Sequence, residues 1–295
     1  MTVGVTLRLL AVMVLWASCF PLITIGLDLA PHLAFAAMRA ALAGFCLVVT
    51  GIILGRPAPH GARSWALVAL AGFGATSLGF LGMFHAAEFV SPGLATVIAN
   101  TQPLLAAVLA HVFLRERLTL VGKAGLVVGL GGIAAIAWPS LSAGDNLGYT
   151  LGIAYVVLAA TGVSIGNIAI KRLTGQVDAV MAMGLQLLIG AAPLAVLSTL
   201  TEDVTSLTWS TEFALVLVVL AVFGSSLAFW LWFVALEQVD LNRANAFAFL
   251  VPIFGLTIGA TLFDEQIAWI QAVGVVLVLA GIIVVQRRSE VGAAS

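Results

Sequence analysis

Charge is scarce in this chain. Asp, Glu, Lys and Arg make up 8% of its 295 residues against 62% hydrophobic ones, too few polar groups to cover a water-facing surface. A soluble fold is excluded, and repeated membrane crossing is expected. Cysteine is nearly absent: Cys19 and Cys46 both lie in apolar runs, which leaves no disulfide framework and no thiolate cluster for a metal. Enzyme signatures are missing too. There is no His-Glu-x-x-His, no Gly-x-Ser-x-Gly and no acidic cluster for a metal or phosphate. Gly72-Phe73-Gly74 sits in an apolar run without the strand that a dinucleotide loop follows. The chain reads as a non-enzyme with no cofactor, no metal and no nucleic-acid partner. No small-residue cleavage site follows the first apolar run, so that run is expected to be retained.

What is present is a series of apolar runs, each near the roughly 20 residues that a membrane helix needs. They predict an all-α integral membrane protein with ten transmembrane helices near 6–26, 33–55, 65–87, 93–113, 118–138, 147–170, 179–200, 212–236, 243–263 and 268–286. Turn chemistry separates them at Ala30-Pro31-His32, Arg56-Pro57-Ala58-Pro59, Ser91-Pro92-Gly93, Pro139 to Asn146 and Gly175 to Asp178. With the N-terminus in the cytoplasm, Arg8, Arg56, Arg63, Arg115, Arg117, Lys123, Lys171, Arg172, Arg243, Arg287 and Arg288 all fall at cytoplasmic ends. Asp28, Glu88, Asp145, Glu202, Asp203, Asp264 and Glu265 fall at the other ends. Only Arg39 stays inside a span. This partition supports the helix number and places both termini in the cytoplasm.

The chain also repeats itself. Residues 66–136 recur as 215–285 without a gap, at the spacing that separates Pro103 from Pro252. Glu88, Val90, Ala95, Glu116, Gly125 and Gly132 then fall on Glu237, Val239, Ala244, Glu265, Gly274 and Gly281. Two units of five helices follow, residues 1–144 and 145–295. Five is odd, so the second unit enters the membrane from the opposite side, an inverted repeat of the kind that places a binding site at the midplane and alternates access by rocking.

The repeated segment, with Pro103, Glu116 in Phe-Leu-Arg-Glu and Gly125, and again Pro252, Glu265 in Phe-Asp-Glu and Gly274, resembles the EamA-type repeat of the drug/metabolite transporter superfamily. Trp16-Ala17-Ser18 and Lys171-Arg172-Leu173 fit as well, so the resemblance covers essentially the whole chain. Its aromatic residues are similar to those of the aromatic amino-acid exporter branch. The resemblance implies a multi-pass exporter of amino acids or related metabolites in the bacterial inner membrane, or else a broad-specificity drug or metabolite exporter of the same fold.

Candidate residues come from polar and aromatic groups inside spans. Pro103 and Pro252 each free the carbonyl four residues earlier, at Ala99 and Ala248, for a kink, a gate or a substrate ammonium. On the same helix faces stand Thr96 and Asn100, and Asn245 and Phe249. Ser77, Phe80 and Phe84 recur as Ser226, Phe229 and Phe233, with Trp230 beside them, and read either as packing or, with Trp16, as the wall of an aromatic cavity. The substrate-binding set is therefore Trp16, Ser77, Phe80, Thr96, Asn100, Trp230, Asn245 and Phe249. Arg39 either snorkels to the interface or, with His85, serves the outer gate and attracts a substrate carboxylate. His85 and His111 lie near span ends and no Asp or Glu lies at mid-span, so a carboxylate proton relay is not supported. Small-residue spacing at Gly125 to Gly129 and Gly255 to Gly259 suits close helix packing, within a monomer or across a homodimer.

Overall fold

The computed structural model describes residues 2–99, 101, 102, 105, 120–142, 147–239, 241–264 and 267–289, and among these it is helical with no strand. The first apolar run is two helices, α1 (Val3–Ala17) and α2 (Cys19–Leu27). The break falls at Ser18 because the ring of Pro21 collides with the carbonyl of Ala17, four residues back, and offers it no N–H. Then come α3 (His32–Ile53), α4 (Gly61–Ala71), a π-helical segment over Gly72–Leu78, α5 (Gly79–Ala86) and α6 (Pro92–Ala99). Next along the chain are α7 (Leu120–Ser142), α8 (Leu147–Leu173), α9 (Ala179–Thr201), α10 (Thr211–Ala221), a π-helical segment over Val222–Leu227 and α11 (Ala228–Gln238). It ends with α12 (Leu241–Asn245), a 3₁₀ turn over Ala246–Phe249, α13 (Leu250–Leu262) and α14 (Trp269–Ser289).

Among the described residues six stretches are long and apolar enough to cross a bilayer: Val3–Leu27, His32–Ile53, Gly61–Ala86, Leu147–Leu173, Ala179–Thr201 and Thr211–Gln238. Each lies within four residues of a span predicted above. Lys123–Gly132, Ile253–Leu262 and Trp269–Gly281 are shorter apolar helices. The fourth predicted span begins with α6, and its remainder lies largely outside the described residues. Large apolar side chains such as Phe45, Ile53, Trp138, Leu215 and Ile253 are exposed on the outer faces. That is the surface of a multi-pass membrane protein.

Two π-helical segments stand at matching sequence positions. They overlap when one half is shifted onto the other, and π-bulges persist mainly where function or packing favours them. Beside them, Ser77 donates to the carbonyl of Gly190 on α9 at 2.8 Å, and its counterpart Ser226 donates to that of Ala43 on α3 at 2.9 Å. In a helix bundle a serine is satisfied most cheaply at a close contact with a neighbouring backbone.

Charged side chains tie helix ends together. The Glu202 carboxylate, just past α9, accepts from the backbone N–H of Leu33 at 2.7 Å and of Ala34 at 2.9 Å. It thereby caps α3 from another helix, where the positive end of the α3 dipole favours an anion. At the opposite end of this antiparallel pair Asp178 caps α9 through Val180 and Met181 and lies 3.8 Å from Arg56. Lys171 donates to the carbonyls of Leu236 at 2.6 Å and Val239 at 2.9 Å, closing the end of α11. Glu202→Ala should lower unfolding stability by about 1–2 kcal/mol, the usual cost of a lost cap. Thermal unfolding in detergent measures this, and an unchanged transition would remove the cap from the stability account.

Candidate functional site

Two cavities matter. The first, about 110 Å³, lies inside the bundle and is lined at repeat-matched positions. Phe80 pairs with Phe229, Met83 with Trp232, Thr96 with Asn245, Ala99 with Ala248 and Gln102 with Val251, all at the Pro103-to-Pro252 spacing and all in its wall. Trp16, Cys19 and Phe20 from the broken first run, Ala75, and Ala159, Ala160, Val163 and Asn167 from α8 complete it. The second, about 610 Å³, is an apolar cleft between α1, α2, α10 and α13 lined by residues such as Leu15, Pro21, Ile25, Phe223 and Leu262. It is larger, but among the described residues its side-chain polar groups are Ser18 and Cys19, which donate to the carbonyls of Val14 and Leu15 on α1. The smaller cavity holds the chemistry.

One wall of that cavity is aromatic. The Trp16 ring sits 5.2 Å from Trp232 and 6.1 Å from Phe229 between centroids, spacing that suits tilted and edge-on contacts. Trp232 is fully buried, and its indole N–H donates to Asn167 Oδ1 at 3.0 Å. An indole N–H only donates, so this bond fixes the Asn167 amide with its oxygen toward Trp232 and its Nδ2 turned away. That Nδ2 is buried with no protein partner, and so is Nε2 of Gln102. Each unpartnered buried donor costs about 1–3 kcal/mol. The Ser164 hydroxyl, one turn before Asn167, donates to the Ala160 carbonyl at 2.7 Å, with the Gln102 backbone carbonyl as a second acceptor at 3.2 Å, which places Gln102 beside α8. Thr96 Oγ1 donates to the Gly93 carbonyl at 2.6 Å.

Arg39 stands behind this wall and is 1% exposed. Its Nε donates to Ser225 Oγ at 2.9 Å, and Nη2 to Cys19 Sγ at 3.2 Å and to the Gly224 carbonyl at 3.3 Å. The guanidinium lies 4.4 Å above the Phe80 ring, and Nη1 has no partner. Full enclosure excludes the snorkelling geometry. The π-helical segment over Val222–Leu227 supplies two of its three acceptors. His85 packs on His32 at 5.2 Å and on Tyr155 at 4.9 Å, its Nδ1 is 3.0 Å from the Leu81 carbonyl oxygen, and His32 pairs with Glu88 at 3.1 Å. That cluster is separate from the cavity lining.

Of the residues singled out in the sequence, Trp16, Phe80, Thr96 and Asn245 meet at this cavity. Ser77 is turned to α9, and Trp230 is half-buried outside the lining. Asn100, Pro103 and His111 lie outside the described residues, Phe249 ends the 3₁₀ turn and Pro252 falls in α13, with the side chains of the last two outside the described set. Sequence reading passed over Asn167, Gln102 and Trp232. A signal existed for two of them, because Trp232 and Gln102 are the repeat mates of Met83 and Val251 and differ from them in polarity.

The chain has relatives over most of its length. It is 31% identical over 288 residues to a protein of Streptantibioticus cattleyicolor named "Probable terminal-alkyne amino-acid exporter", covering 95% of this chain and 93% of that one. It is 31% identical over 258 residues to a chloroplastic WAT1-related protein of Arabidopsis thaliana, covering 85% of this chain but 61% of that longer one. A solved crystal structure 20% identical shares the fold, with a TM-score of 0.68 over 97% of this chain and 98% of the other. The EamA-like transporter family matches residues 4–138 and again residues 150–287. The chain thus belongs to the EamA-like transporter family.

Proposed function

We propose that this protein is a secondary transporter that exports neutral amino acids, aromatic ones among them, across the bacterial inner membrane by alternating access through the small cavity. In this reading the chain forms ten spans in two inverted units, residues 1–144 and 145–295, with both termini in the cytoplasm. One observation carries it: five repeat-matched pairs line a single cavity, as expected where two inverted units rock against each other around a fixed site. The carbonyls that Pro103 and Pro252 would free belong to one of those pairs, Ala99 and Ala248. The Streptantibioticus relative's name supports an amino-acid cargo.

At about 110 Å³ the cavity is smaller than the roughly 150 Å³ engineered void that admits benzene. An aromatic side chain therefore enters only when the walls part, so flux should saturate and follow a conformational step. Counterflow of labelled phenylalanine, tryptophan and threonine into liposomes holding the purified protein tests this. Saturable uptake accelerated by unlabelled amino acid on the far side is expected. Unsaturable flux with no acceleration would replace the transporter with a passive pore. A second reading, a broad exporter of drugs or metabolites, draws on the apolar cleft beside α2. Inhibition by lipophilic cations but not by amino acids would favour it.

A further inference from the structure

The cavity has a polarity of its own. Asn167 is 2% exposed and lines it, and its Nδ2 is committed as a donor because the Trp232 indole occupies its oxygen. Gln102, placed beside the same helix at Ser164, adds a second buried and unpartnered amide nitrogen. Among the described residues no acidic side chain lines it. Behind Phe80 and Cys19, both lining residues, lies the Arg39 guanidinium, which has no carboxylate partner among the described residues. Its charge is felt across a low-dielectric wall and favours an anion in the cavity.

We propose that the transported molecule is anchored by its carboxylate, which accepts hydrogen bonds from Asn167 Nδ2 and Gln102 Nε2 while the Arg39 charge behind the wall stabilises it. The inference rests on this cavity being the transport site and names the part of the substrate the site reads. An ammonium group has only donors to offer, so it finds no mate in either amide nitrogen. A carboxylate without an amine therefore gains both of these bonds, and an amine without a carboxylate gains neither.

Direct binding of 3-phenylpropionate, phenethylamine and phenylalanine to the purified protein tests the proposal. The acid is expected to bind at least about tenfold more tightly than the amine, the difference that hydrogen bonds to a charged group supply. Asn167→Asp keeps the oxygen that Trp232 needs and replaces the donor with a second acceptor, so it should weaken the acid at least about tenfold. Gln102→Leu, which spares Trp232, should weaken it in the same direction and decides the matter if the first variant does not fold. Equal binding of acid and amine, no binding of either, or unchanged affinity in a folded variant overturns the proposal. Binding of the acid in a protein that moves no amino acid would instead leave the carboxylate site standing and remove the amino-acid exporter.

Discussion

Trp232→Ala should reduce transport at least about a hundredfold, whereas Trp230→Ala should leave it within about threefold. Two residues apart, these side chains point about 200° apart around the helix. Trp232 is fully buried in the cavity wall against Trp16, and Trp230 is half-buried outside the lining. Truncating a buried tryptophan costs about 3–5 kcal/mol and here also leaves Asn167 Oδ1 without its donor. Part of that loss falls on stability, so Trp232→Phe separates the effects. It keeps a ring and forfeits one hydrogen bond of about 1 kcal/mol, and the freed Asn167 amide can rotate. Transport by Trp232→Phe should fall about tenfold with the unfolding transition nearly in place. Counterflow normalised to the monodisperse protein fraction measures all three variants. Full activity in Trp232→Ala, or a large loss in Trp230→Ala alone, would move the cavity to the other face of α11.

The same comparison shows where a membrane sequence is legible. Spans come through because hydropathy sums over some twenty residues and the bilayer demands them; the six long stretches fall within four residues of expectation. Pro and Gly at one fixed spacing reveal the repeat without any side-chain geometry. Rotation of a face is harder to read. Serines 77 and 226 suggested the cavity side of their helices, yet each satisfies its hydroxyl on a neighbouring helix backbone, the commoner need in a bundle. Hydropathy also treats Asn167 and Gln102 as two polar residues among many. Which of them has a spare donor depends on Trp232 and Ser164 across helices. Arg39 was legible as exceptional, being the lone basic residue within a span, but its partners Ser225 and Gly224 sit far along the chain in the second π-helical segment.

Gly132→Ala should lower stability by about 1–3 kcal/mol, while Gly131→Ala, its neighbour, should leave stability unchanged or raise it by about 0.5–1 kcal/mol through helix propensity. A Cβ on Gly132 would stand 2.6 Å from the Gly274 carbonyl oxygen and 2.7 Å from the Val278 nitrogen on α14, and one on Gly131 would meet nothing within 4 Å. The obstruction is backbone, so no rotamer change relieves it and α7 must part from α14. The contact is reciprocal: a Cβ on Gly281 would stand 2.6 Å from both the Gly125 oxygen and the Gly129 nitrogen. Gly281 is the repeat mate of Gly132, as Gly274 is of Gly125 and Val278 of Gly129. Gly281→Ala should therefore match Gly132→Ala in cost. Because one separation of the helices relieves both clashes, the double variant should cost less than the two single losses together, the signature of coupled sites. These glycines meet inside one chain, so the losses should appear in thermal unfolding with the oligomeric state unchanged. Dissociation of an oligomer by Gly132→Ala without a lower unfolding transition would place this crossing between protomers instead.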